Sequence, residues 1–177
     1  MRGYVLAVGP KFFLLALLDD RVRFNGFECL RIRDVKGLKA DPNAVFAEAA
    51  LKKRDEHLPN KPRVSLATLA ELLRSANRKF PLVTIHREQV DSSICNIGRV
   101  VGLGEKSVSL LEIGADAVWE KLPNAYRLNE ITRVSFGGGY EDALFLVGGG
   151  ADRANSRLQR TAASRPFRWR GVQSETR

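Results

Sequence analysis

The chain has 177 residues, 44% of them apolar and 28% charged, with a formal net charge of +9. That is apolar material enough for the core of one ordinary domain or two very small ones, and the positive balance favours acidic partners. The two cysteines exclude a disulfide framework and lack the spacing of metal ligands.

The first element in chain order is a strand through Gly3-Tyr-Val-Leu-Ala-Val, and a second follows across Gly9-Pro10-Lys11. The run Phe12–Leu18 is too short to cross a bilayer, which takes about 20 residues. No small-residue cleavage site follows it, so it is predicted to be a buried strand rather than a leader. Asp19-Asp20 closes it as a solvated turn. Asp41-Pro42-Asn43 caps a helix over Ala44–Arg54, and a proline-bounded linker runs from His57 to Arg63. Ser65 starts a second helix, Leu66–Arg78, with Leu66, Leu69, Ala70, Leu72 and Leu73 at helical spacing. Phe80–Glu88 is then a strand, in which His86 shares a face with Thr84 beside Glu88 as a structural histidine.

Further strands are predicted over Ile97–Leu103, Ser107–Ile113, Ala117–Glu120, Tyr126–Leu128, Ile131–Phe136 and Ala143–Val147, parted by turns at Gly104-Glu105-Lys106, Gly114-Ala-Asp116, Leu122-Pro-Asn124 and Gly137-Gly-Gly139. Neither glycine triplet, 137–139 or 148–150, carries a phosphate-cradling pattern ahead of a helix, so both are turn glycines. Trp119 is a core or interface anchor. Cys29 and Cys95 sit in apolar contexts and are expected as buried reduced thiols, which points to the cytoplasm.

An internal repeat runs through these strands. Gly3, Val5, Gly9 and Lys11 coincide with Gly98, Val100, Gly104 and Lys106 at an offset of 95. One inserted residue then shifts the offset to 96. Leu14 and Leu15 fall on Leu110 and Leu111, Leu17 on Ile113, Arg31 on Arg127, Asp34 on Glu130, and Val35 on Ile131. Strands of about five residues with frequent turns suggest small closed barrels. The predicted fold is mainly β with two helices (α+β), as two tandem small β-barrels from an internal duplication. Its parts are a first module at 1–40, a helical connector at 41–79 whose second helix packs on module two, a second module at 80–147, and an Arg-rich tail at 148–177. Residues 149–177 hold seven arginines against Asp152 and Glu175 and few aliphatics, the composition of a disordered segment.

Residues 65–147, a helix followed by five short bent strands, resemble the Sm-like small barrels. The point of contact is Tyr126-Arg127-Leu128-Asn129-Glu130-Ile131, similar to the second Sm signature in the turn between the last two strands. Arg31-Ile32-Arg33-Asp34-Val35 offers the same place in the first half. Leu128 and Ile32 replace the signature's glycine, and the first Sm signature has no clear counterpart. The resemblance implies the fold and places Arg127 and Asn129 near a ligand-facing rim. A fold shared by many functions carries none of them by itself.

No cluster of His, Cys, Ser or carboxylates has catalytic or metal-binding spacing, so neither enzyme activity nor a cofactor is expected. Asp19-Asp20 and the scattered Glu112, Asp116 and Glu120 fit solvated turns. The expected partner is RNA, before DNA, held through Arg31, Arg33, Arg127, Asn129 and the tail residues Arg165, Arg168, Trp169 and Arg170. Arginines neutralise phosphate while aromatic rings stack on unpaired bases. The tail is the strongest candidate, and Arg31/Arg33 and Arg127/Arg133 are weaker ones, because some strand arginines simply pair with the nearby Asp34 or Glu130. The alternative is an assembly module, in which exposed strand edges meet a protein partner or a second copy. No membrane partner is expected.

Overall fold

The computed structural model describes residues 1–151. Its elements are β1 (Arg2–Val8), β2 (Phe12–Leu18), β3 (Phe24–Arg31), a 3-10 turn (Ile32–Asp34), α1 (Ala44–Lys53), α2 (Leu69–Lys79), β4 (Val83–Arg87), β5 (Asp91–Leu103), β6 (Ser107–Glu112), β7 (Asn124–Arg127), a second 3-10 turn (Leu128–Glu130), β8 (Arg133–Phe136) and α3 (Gly139–Gly148). All eight strands join one antiparallel sheet in the order β1-β2-β3-β8-β4-β5-β6-β7. No pairing joins β1 to β7, so the sheet is not closed on itself. Among the described residues the architecture is mostly β, with three helices where two were expected.

The apolar run Phe12–Leu18 becomes a strand buried on both faces, as an unbroken hydrophobic pattern requires. Phe12 and Leu14 enter the main core with Cys29, Leu72, Leu73, Val83, Ile85, Val108, Leu110, Val134 and Phe136. α2 seals that core with Leu72, Leu73 and Ala76. Its cap is Thr68, whose hydroxyl accepts from the Glu71 amide at 3.2 Å, rather than Ser65, whose own amide donates to Ser75 Oγ at 2.9 Å.

The expected strand Ala143–Val147 is instead part of α3. Its apolar run has the length of a strand, and period alone does not separate the two at that length. The residues before it decide the matter. Gly138 takes the N-cap position, and Glu141 and Asp142 place acids in the first turn, where the helix dipole favours them. The triplet Gly137–Gly139 therefore runs into the first turn of a helix, without a phosphate-cradling pattern. The Gly139 amide donates to Asn25 Oδ1 at 2.7 Å, so that donor is already engaged. The expected strand Ala117–Glu120 shrinks to a single bridge between Ile113 and Trp119. Trp119 anchors a smaller core with Leu82, Ile113 and Leu144, and its Nε1 donates to the Gly149 carbonyl at 3.1 Å.

The meanders β1–β3 and β5–β7 are built alike. Each carries a register shift in its first hairpin, after Val5 and after Val100, and each ends in a 3-10 turn. The Gly9 amide bonds to the Phe12 carbonyl at 2.8 Å, and Gly104 bonds to Ser107 at 2.9 Å. Pairing keeps the 95-residue offset through β2 and β6, since Val8↔Phe13 matches Leu103↔Val108. It reaches 96 only at β3 and β7, where Phe12↔Arg31 matches Ser107↔Arg127. The extra residue thus falls between the second and third strands of the meander, not after Lys11.

Gly98 shows how closely the hairpin strands approach. A Cβ there would overlap the Leu111 carbonyl oxygen and lie 2.8 Å from Glu112 Cα. Both obstacles are backbone, so no rotamer change relieves them. Gly98→Ala is expected to cost about 1–3 kcal/mol, towards the upper end. Urea denaturation with the slope unchanged would measure it, and an unaltered midpoint would show that β5 and β6 lie farther apart than described.

Candidate nucleic-acid interface

The β5–β6 turn and the second 3-10 turn meet at one end of the second meander. The Leu128 amide donates to the Lys106 carbonyl at 2.9 Å, and this bond closes a cleft of about 420 Å³ lined by Glu105, Lys106, Arg127, Leu128 and Asn129. Lys106, Arg127 and Asn129 are all exposed. Arg127 has 79% of its side chain in solvent and only a long 3.8 Å contact with Glu130. A pair so exposed contributes little to stability, which leaves the guanidinium available. The first meander repeats the arrangement, with the Ile32 amide bonded to the Lys11 carbonyl at 2.9 Å and Lys11 and Arg33 exposed.

Arg31 takes a different place from its counterpart. Its side chain is only 9% exposed, its Nε pairs with Asp34, and its Nη1 donates to the Asn129 carbonyl at 2.9 Å. Arg31 is a strut between the two 3-10 turns and sets the two rims side by side. The cause is the sheet order. β3 is covered by β8, with Leu30 opposite Arg133, whereas the outer edge of β7 is open. Arg165, Arg168, Trp169, Arg170 and the rest of the tail lie outside the described residues. Lys106 was not among the expected contacts, and its coincidence with Lys11 at the 95-residue offset was the available signal.

The strips of β3, β8 and β4 facing away from the main core hold a polar network. Arg133 Nη1 lies 2.7 Å from Glu28 Oε1, and its Nη2 lies 3.1 Å from Glu88 Oε1 and 3.0 Å from His86 Nδ1. Arg133 therefore pairs with acids, as strand arginines often do. A guanidinium only donates, so His86 Nδ1 accepts, and the ring proton sits on Nε2. That proton is directed at Ser135 Oγ, 3.2 Å away, so this imidazole cannot accept the serine proton. Burial, helped by the Arg133 charge, lowers the His86 pKa to about 4. Burial also raises the Glu28 pKa, against the opposing pull of Arg133.

Glu112, expected as a solvated acid, accepts from Asn96 Nδ2 at 3.0 Å, from Asn124 Nδ2 at 2.7 Å and from the Tyr126 hydroxyl. Asp19 does form a turn, its Oδ1 accepting from the amides of Arg21 and Arg23 at 2.9 Å. Cys29 is buried, but Cys95 is exposed, because the first residues of β5 extend beyond the covered part of the sheet. Among the described residues no three His, Cys, Asp or Glu side chains gather as a metal ion would need, and no helix is long and apolar enough to cross a membrane.

Compared with protein-family models, curated proteins and solved structures, the chain matches none.

Proposed function

We propose that the chain is a non-enzymatic nucleic-acid-binding protein, RNA before DNA, which holds a single strand along the rim formed by the β5–β6 turn and the second 3-10 turn. The observation that carries this reading is the cleft that brings Lys106, Arg127 and Asn129 together. Arg127 and Lys106 supply phosphate contacts, and Asn129 supplies an amide able to donate to and accept from a base edge. Lys11 and Arg33 extend the track on the neighbouring rim, and the basic tail adds sequence-independent affinity. The order β8-β4-β5-β6-β7 behind α2, with Arg127 at the turn between the last two strands, supports the Sm-like reading of this half. The matching hairpins and 3-10 turns support the duplication.

Glu105 and Glu130 flank the cleft, so binding is expected to be modest and strongly salt-dependent. The test is anisotropy of a labelled single-stranded RNA against the full chain and Lys106→Glu/Arg127→Glu over a salt series. Loss of two contacts flattens the log-log slope by about 1.4 for single strands. An identical slope and affinity in the variant would place binding elsewhere.

A second reading has its own observation. The outer edge of β7 is open where its counterpart β3 pairs with β8, so a partner strand could extend the sheet there. A salt-resistant oligomer without RNA affinity would favour that reading.

A further inference from the structure

α3 is apolar on the side that faces water as well as on the side that faces the sheet. Glu141 and Leu144 are buried, Glu141 Oε1 accepting from Thr84 Oγ1 at 2.6 Å, and Phe145 packs beside Leu144. The opposite stripe is formed by Tyr140, Ala143, Leu146 and Val147, which helical periodicity places on one face. Tyr140, Leu146 and Val147 are 55%, 84% and 65% exposed, and Ala143 is exposed as well. A surface helix turns polar side chains to water, so an apolar outer stripe marks a seat for a partner. The segment before Trp119 packs at the C-terminal end of α3. Gly148 there leaves no room for a Cβ against the Ala117 carbonyl, and the next residue, Val118, adds an exposed apolar side chain.

The size and charge of this surface fit residues 152–177, which lie outside the described residues. Four side chains on about 15 Å of helix offer less than the roughly 800 Å² per partner of a stable dimer, but suffice for a short peptide segment. The acids Asp116, Glu120 and Asp142 are exposed and meet no cation within 4.0 Å among the described residues. α3 itself carries no Lys or Arg, and between Ser107 and Pro123 the sole cation is Lys121. Residues 149–177, in contrast, hold seven arginines against two acids. The described chain ends at Ala151, three residues beyond α3. From there to Phe167 is 16 residues, or up to about 50 Å of chain, ample to return along a helix of about 15 Å. Phe167 and Trp169 are two apart, so on an extended segment they share one side about 7 Å apart, close to the rise of about 6 Å from Ala143 to Val147.

We propose that residues 165–170 dock on the outer face of α3 of the same chain, with Phe167 and Trp169 against Tyr140, Ala143, Leu146 and Val147 and with Arg168 and Arg170 beside Asp142. This contact is remote in sequence from the Lys106–Arg127 rim and does not depend on the nucleic-acid reading. The chain has two tryptophans, Trp119 and Trp169, so the full chain minus its Trp169→Phe variant yields the emission of Trp169 alone. That emission is expected to be blue-shifted and shielded from acrylamide, independently of protein concentration. Leu146→Glu/Val147→Glu should abolish both the shift and the shielding, and Asp142→Asn, which leaves the apolar stripe intact, should reduce them in part. Leu146 and Val147 are exposed, so the variant should fold, and unaltered Trp119 emission when the same changes are made with Trp169→Phe checks this. A solvent-like Trp169 in the full chain, or one indifferent to the α3 substitutions, would overturn the proposal. A shift that grows with protein concentration would also overturn it, by assigning the seat to a second copy.

Discussion

Replacing Arg133 with methionine is expected to cost about 3–5 kcal/mol of stability, because it leaves Glu28 buried without its counterion. The Glu28 side chain is 4% exposed, and Arg133 holds it at 2.7 Å. The double variant Glu28→Met/Arg133→Met should recover most of the loss, since apolar groups of similar volume can replace a buried pair at little cost. The pH dependence has a defined sign. Burial raises the Glu28 pKa while Arg133 lowers it, so removing Arg133 raises it further. The folded variant then holds a proton that the unfolded chain releases, and its stability falls as pH rises above about 4.5. His86 acts in the opposite direction. Its pKa of about 4 against 6.5 means that the unfolded chain binds the extra proton, so stability in the native protein falls as pH drops through that window. Arg133 helps to depress His86, and its removal weakens that second slope. Urea denaturation near pH 7 and pH 5 should show a larger loss for the single variant at pH 7. A loss below about 1 kcal/mol at both would show that the network is solvated rather than buried.

Arg31→Ala and Arg127→Ala should behave as opposites although the two residues hold matching pairing positions in the two meanders. Arg31→Ala removes the charge-assisted bond to the Asn129 carbonyl and the partner of Asp34, at about 2–3 kcal/mol. Arg127→Ala removes only an exposed 3.8 Å contact and should change stability by less than about 0.5 kcal/mol while weakening RNA binding. Thermal denaturation beside the anisotropy assay separates them. Equal destabilisation by both would mean that the β7 edge is also covered in solution, which the assembly reading predicts.

That difference shows where sequence reasoning ended. Arg31 and Arg127 look alike in their local sequences, and what separates them is the pairing of β8 with β3, which joins segments about a hundred residues apart. An unbroken apolar run made β2 legible, alternation and turn residues did so for β4 and β6, and the matched glycines 3 and 98 fall where the two hairpins need close approach. The network of Glu28, His86 and Arg133 was hidden, since only the register Leu30↔Arg133 and His86↔Arg133 brings those side chains together. α3 was misread because an apolar run of five residues fits a strand or a buried helix equally, and the helix signal lay upstream in Gly138 and the acids after it. Cys95 was misplaced because its neighbours were apolar while its strand end is uncovered.

The most direct test of the central claim is RNA anisotropy with the full chain and with a chain ending at residue 151, compared at one low salt concentration. The rim account predicts that the shorter chain still binds, more weakly, and loses that binding when Lys106 and Arg127 are replaced by glutamate. Complete loss of binding on removal of residues 152–177 would contradict it and assign the affinity to the basic tail alone.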